Sequence, residues 1–220
     1  MRRSLEGGQI MEDLLRFKFD QKYIIFDTET EGLNLVASKP WQLAWIEATG
    51  KKITKKQNRF LKWDDLKVSE EAAKITGFDK KDYLSKAEDP AVVFKEFMAL
   101  ISQDDVIVVG QNILGYDLYM LGVIARNLNL KVDYSFAKRC FDTKAIATAI
   151  AKDSKNPDKE DFLAWQLRYL NYRERGLKSS QKFLLQHYDI DFDEGKLHDA
   201  LYDIEKNFEI FQKQLWELEI

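Results

Sequence analysis

Apolar and polar positions change their period along the chain, and each change marks an element. Residues 23–26, Y-I-I-F, are an unbroken β-branched and aromatic run, the pattern of a central strand covered on both faces. Residues 41–48, W-Q-L-A-W-I-E-A, alternate as a second strand does, and Thr49-Gly50-Lys51 turns the chain into a third over residues 53–63. The start is therefore expected to be an antiparallel meander. Residues 68–77 predict a short helix capped by Ser69, with Glu70 and Glu71 in its first turn and Gly77 closing it. A second helix is expected over 91–101, its apolar face built from Val93, Phe94, Phe97, Met98 and Ile101. Residues 106–109, V-I-V-V, read as another buried strand ending at Gly110, Gln111 and Asn112, and a helix over 116–129 follows. Residues 137–141 suit a short edge strand before a helix entered through Asp142 and Thr143. Helical periodicity then dominates to the end. The order β-β-β-α-β-α-β-α predicts an α/β fold, a mixed sheet flanked by helices.

The final helix carries the stripe Leu201, Ile204, Phe208, Phe211, Leu215 and Leu218, spaced by threes and fours. At about 100° per residue, Asp203 lies roughly 110° from the middle of that stripe, at its edge, where it can reach a cleft. His198 precedes the helix in a loop, and Asp199 is placed to be its N-cap. Residues 152–175 break the regularity: a polar, turn-rich part is followed by Trp165, Arg168, Tyr169, Tyr172, Arg173 and Arg175. Such interleaving can build a surface for stacking bases and holding phosphates. It more often marks a helix whose aromatics are packed and whose arginines snorkel.

Length and composition bound the function. A chain of 220 residues suits one domain over residues 21–220, with a mobile leader over 1–20 and a helical insertion around 152–176. A formal charge of -3 gives no global positive field for a nucleic acid. Carboxylates gathered around metals would account for negative charge that bound cations reverse locally. Cys140 is the only cysteine, which excludes an intramolecular disulfide and a Cys-type zinc site and fits a reducing compartment. Arg2 and Arg3 are not followed by an apolar run, and no stretch is long enough to span a bilayer. The expectation is a cytoplasmic protein with no membrane partner.

Candidate chemistry starts at Asp27 and Glu29. Residues two apart in a strand project the same way, so these carboxylates would stand side by side and repel. Divalent cations would remove that repulsion, and hard oxygen ligands suit Mg²⁺ or Mn²⁺. An isolated D-x-E recurs by chance, but this pair directly follows a fully apolar strand, with Gly32 supplying a turn just beyond. Asp117 opens the helix after the second buried strand, where α/β sheets hold ligands. A carboxylate there is also favoured by the helix dipole alone. His198 is the better placed of two histidines to act as a base, His187 reading as structural.

Taken in order, D-T-E-T-x-G-L, N-x-x-x-Y-D and H-x-x-x-x-D resemble the three motifs of the DnaQ-like DEDDh 3′-5′ exonucleases, over about residues 23–216. The stretches V-S-E-E-A-A-K-I-T-G-F, C-F-D-T-K and L-K-S-S-Q-K-F-L look familial too. The resemblance implies an RNase H-like fold, its first three strands antiparallel and the later ones parallel. It implies Asp27, Glu29, Asp117 and Asp203 as ligands of two Mg²⁺ or Mn²⁺ ions, with His198 as general base. Asp199 stands where the tyrosine-type branch would have its Tyr, which favours the histidine branch. Two features depart from the proofreading subunits of the family: Gln111 replaces the common His before Asn112, and three residues separate Asn112 from Tyr116. Thr28, Thr30, Leu33 and Asn112 are the expected holders of the terminal nucleotide. The implied reaction is release of nucleoside 5′-monophosphates from the 3′ end of DNA by a two-metal mechanism. Two alternatives stay open, an exoribonuclease similar to ribonuclease T or oligoribonuclease and a catalytically silent nucleic-acid-binding module. Expected partners are single-stranded DNA or DNA 3′ ends, or RNA, with a replication polymerase as a further candidate. Residues 212–216, Q-K-Q-L-W, resemble peptides that dock on sliding clamps, although Leu215 also falls on the apolar stripe.

Overall fold

The run at residues 23–26 lies inside β1, Lys22–Thr30, a longer strand than its apolar part suggests. It extends through both acids because β2, Pro40–Thr49, pairs antiparallel along its whole length, with Asp27 opposite Ala44 and Glu29 opposite Gln42. Asp27 and Glu29 therefore sit within a strand, not after one. A computed structural model describes residues 14–157, 160–197 and 199–220. β3, Lys52–Phe60, completes the expected meander, turned by Gly50. On the other side of β1 the parallel strands β4, Val106–Gly110, and β5, Cys140–Asp142, follow, giving the order β3-β2-β1-β4-β5. The expected mixed sheet, antiparallel first and then parallel, is what forms.

Helices cover both faces. α1, Glu70–Thr76, starts at the expected cap, with Ser69 Oγ accepting from the Ala72 N–H, and ends at Gly77, whose φ of 67° is left-handed. α2, Lys80–Lys86, was not expected. Only Tyr83 is buried in it, so no apolar period announces it, and it forms from the Asp79 cap and the Tyr83 hydroxyl donating to the Leu61 carbonyl at 2.8 Å. α3, Pro90–Ile101, and α4, Asp117–Asn127, lie close to expectation. The edge strand expected at 137–141 is a 3-10 turn over Ser135–Arg139, with the strand itself shifted onward to β5. α5, Thr143–Ala151, α6, Phe162–Leu170, α7, Gln181–His187, and α8, Ala200–Gln214, follow.

Strand alternation divides the core into two layers. Ile24 and Phe26 face α3 and α4, where Phe97 bridges Phe26 and Trp45 at ring distances of 5.0 and 5.4 Å. Tyr23 and Ile25 face α8, meeting Ile204, Phe208 and Phe211. Trp165 on α6 is fully buried in this second layer beside Phe162, so Trp165 itself is packed and is not a base-stacking surface. Arg168 pairs with Glu160 at the surface. Cys140 is buried. Residues 1–13 of the expected leader lie outside the described residues. Leu15 N–H donates to the Ile220 carbonyl at 2.8 Å, and Phe17 meets Trp216 edge-on, whereas Phe19 is exposed. Among the described residues no helix is long and apolar enough to cross a membrane.

Candidate active site

The two-layer construction delivers the acids. Odd-numbered positions of β1 face α8, so Asp27 and Glu29 continue the Tyr23 and Ile25 face, over which α8 brings Asp203. Even-numbered positions face α4, where Thr28 meets Asp117. The Thr28 N–H and Oγ1 donate to Asp117 Oδ1 at 3.0 and 2.6 Å, and both residues are buried. Asp117 opens α4 as expected, with no side-chain cap ahead of it. These groups, with Gln111, Asn112, Tyr116, Gln181, Lys182, Leu197 and Asn207, line a cleft of about 390 Å³. A larger, more polar groove of about 570 Å³ adjoins it through Leu197, but it holds none of the four motif acids.

Electrostatics single the cleft out. Burial, and then the charges of Asp117, Glu29 and Asp203, hold the Asp27 carboxyl well above the usual range. Glu29 is pushed up to about 8 by burial and then by Asp203 and Asp117. Burial raises Asp117 to about 7 despite the two Thr28 hydrogen bonds that favour its ionised form. Three acids from two elements thus resist ionisation together. The donors fit a hard divalent cation in kind, since all are carboxylate oxygens whose repulsion positive charge would relieve. Among the described residues no three acidic, His or Cys side chains converge into a closed ligand set, and Thr28 holds one oxygen of Asp117.

The other expected residues are placed as follows. Asn112 takes a left-handed φ of 63° and donates its N–H to Asp142. Asp142 is fully buried and accepts four backbone N–H groups, from Asn112, Leu114, Lys144 and Ala145 at 3.0–3.1 Å, which ties the loop after β4 to the start of α5. Burial still raises its carboxyl to about 6. Thr30 Oγ1 lies 2.7 Å from the Tyr116 hydroxyl, and both reach the Gly32 carbonyl, which pins the turn after β1 to the start of α4. Leu33 stands out from that turn at 88% exposure and does not line the cleft. Asp199 caps α8 by accepting from the Tyr202 N–H, as expected. His198 lies outside the described residues. His187 stacks on Phe183, away from the cleft. Sequence reasoning gave no role to Tyr116, Gln181, Lys182 or Asn207. Asn207 could have been found by its spacing, one helical turn after Asp203. Leu215 is buried in the core, so the clamp-like reading of residues 212–216 loses its anchor, and Gln214 donates to the Thr143 carbonyl at 2.8 Å.

A mixed sheet that carries acids on its central strand, opposite further acids on two covering helices, has the architecture of the RNase H-like superfamily. The exonuclease family of RNase T type matches residues 24–211, and the chain belongs to that DnaQ-like family. Among solved structures it is similar to E. coli exonuclease I in complex with a dT13 oligonucleotide, at 17% identity and a TM-score of 0.68, covering 88% of this chain and 40% of that one. The zinc-bound form of the E. coli ExoI–ssDNA complex matches at 17% and 0.69, covering 88% and 40%. A complex of ExoI with SSB-Ct matches at 16% and 0.67, covering 89% and 41%. At these identities the likeness establishes the fold, and the chain spans about 40% of the length of the exonuclease I chains. No curated protein sequence matches it.

Proposed function

We propose that this protein is a 3′-5′ exonuclease that hydrolyses phosphodiester bonds at the 3′ end of single-stranded DNA and releases nucleoside 5′-monophosphates. The observation that carries the reading is the meeting of Asp27 and Glu29 from β1, Asp117 from α4 and Asp203 from α8 in one cleft, in a chain of the exonuclease family. A volume of about 390 Å³ falls within the range of small-ligand sites, about 300–1,000 Å³, and suits one terminal nucleotide. The four carboxylates would hold two Mg²⁺ or Mn²⁺ ions. Bound there, the ions supply charge that activates water and stabilises the departing 3′ oxygen.

The chain's own groups do the rest. His198, the residue before the Asp199 cap, takes the proton of the attacking water, a task suited to an unperturbed pKa of about 6.5. Asn112, with the backbone of Thr28 and Thr30, holds the terminal nucleotide, whereas Leu33 stands outside the cleft and makes no contact with it. DNA is the favoured substrate because the similar exonuclease I binds a dT13 oligonucleotide in its structure. Leu215 packs in the core and does not present residues 212–216 as a docking peptide for a clamp.

The test is a set of 5′-labelled single- and double-stranded DNA and RNA oligonucleotides incubated with Mg²⁺, with Mn²⁺ or with chelator. A ladder shortening from the 3′ end of single-stranded DNA, abolished by chelator and by Asp27→Ala, is the expected result. Faster RNA cleavage would transfer the assignment to an exoribonuclease. Binding without cleavage under every condition would make the protein a silent module.

A further inference from the structure

Asp203 and Asn207 are four residues apart on α8, one turn along the same face. Asn207 is buried and donates from Nδ2 to Thr143 Oγ1 at 2.7 Å. Thr143 Oγ1 in turn donates to Gln111 Oε1 at 2.6 Å, which leaves it an acceptor toward Asn207. Gln111 Nε2 donates to the Ser179 carbonyl at 2.8 Å. Two residues on, Gln181 Nε2 donates to both the carbonyl and Oδ1 of Asp203, at 3.1 Å each. The circuit closes where it began. It joins α8, the start of α5, the end of β4 and the start of α7, and its members Gln111, Gln181, Asp203 and Asn207 line the cleft.

A closed circuit does what the apolar packing of α8 cannot. The contacts of Ile204, Phe208 and Phe211 with β1 hold the helix against the sheet but are non-directional. Hydrogen bonds are directional, and their energy falls steeply off-line. Asn207 Oδ1 has no hydrogen-bond partner among the described residues, so the side-chain bond its amide makes is the one from Nδ2 to Thr143.

We propose that Gln111, Thr143 and Asn207 are positioning residues that set the rotation of α8 and thereby the place of Asp203 opposite Asp27 and Glu29. Gln111 acts on the reaction through Asp203, which it does not touch. The inference rests on the exonuclease reading for its kinetic consequence but not for its structural one.

The experiment compares Gln111→Leu, Asn207→Leu, their double variant and the conservative Thr143→Ser with wild type. Melting by circular dichroism first identifies the variants that fold. In the cation-free protein, the Gln181 side-chain amide resonances, identified by their loss in Gln181→Ala, are followed by NMR. They are expected to shift in Gln111→Leu and to stay at wild-type positions in Thr143→Ser, which keeps the hydroxyl. With oligonucleotide substrate, each single Leu variant is expected to lower kcat about tenfold with KM within about twofold, and the double variant to fall no further than the slower single one. Unmoved Gln181 resonances in folded Gln111→Leu, or losses that multiply in the double variant, would overturn the ring. If Asn207→Leu does not fold, Gln111→Leu and Thr143→Ser decide by the same resonances. A wild-type protein that cleaves nothing would sink the exonuclease reading while those resonances still judged the ring.

Discussion

Glu29→Gln keeps the shape of the side chain and removes its charge, so it separates the two consequences of crowding acids into one cleft. The Glu29 carboxyl is held at about 8, and Asp117 at about 7, above their ordinary values of 4.5 and 3.8. Between those limits the folded chain binds more protons than the unfolded one, so stability falls as pH rises through the window. The cation-free protein should therefore melt at progressively lower temperature from pH 5 to pH 8. Glu29→Gln should flatten that slope and raise the melting temperature at pH 8 while abolishing hydrolysis. An unchanged slope in the variant would show that the buried acids do not titrate as described. His198→Ala makes the complementary prediction: turnover should fall by roughly 10² to 10⁴ while cation binding is kept, as for loss of a general base. Calorimetric Mn²⁺ titration and a pH-rate profile check it, and an unaltered profile would remove His198 from that role.

Elements explain substitutions that never touch the cleft. Trp165 packs against Phe162, Tyr169 and the face of the sheet that carries Phe141, and its Nε1 donates to Ser154 Oγ at 3.1 Å. Trp165→Ala should destabilise the fold by about 3–5 kcal/mol with single-strand affinity per folded molecule retained. Urea unfolding alongside a fluorescence binding assay distinguishes this from a stacking surface, for which affinity would drop at constant stability. At the end of β4, a Cβ on Gly110 would come within 2.0 Å of Ile113 Cγ2 and 3.0 Å of the Phe26 carbonyl. Gly110→Ala should therefore push the loop carrying Asn112 outward and destabilise by about 1–3 kcal/mol, read from the same urea transition.

The whole molecule responds to the cleft through mass action. A cation that binds the folded cleft and not the unfolded chain stabilises by about 2.7 kcal/mol at a hundredfold excess over its Kd. For a chain of this size that is a rise of about 5–10 °C in melting temperature. The rise should be larger at pH 8 than at pH 6, because protons compete for the same carboxylates at the lower pH, and chelator should reverse it. Scanning calorimetry with and without Mn²⁺ at both pH values tests this. An equal rise in Asp27→Ala would place the cation elsewhere.

Much of this architecture is readable from residue order because it depends on local chemistry. The Y-I-I-F run, the Ser69 and Asp199 caps and the Gly77 terminator act over a few residues, and each formed where its pattern stood. The three acidic motifs were recognisable too, since strand alternation and helix periodicity decide which way Asp27, Glu29 and Asp203 point before any partner arrives. Other features depended on partners distant in the chain. β1 runs on through its acids because β2 supplies the hydrogen bonds, and α2 forms without an apolar period because Tyr83 reaches Leu61. Trp165 and Leu215 carry signals that suit a surface as well as a core, and only the packing of α6 and α8 on the sheet buried them. The circuit from Gln111 through Thr143 and Asn207 to Asp203 joins residues up to 96 positions apart. Periodicity sets the direction of a side chain, but which atom it meets is set by sheet order and helix docking, and those are properties of the whole chain.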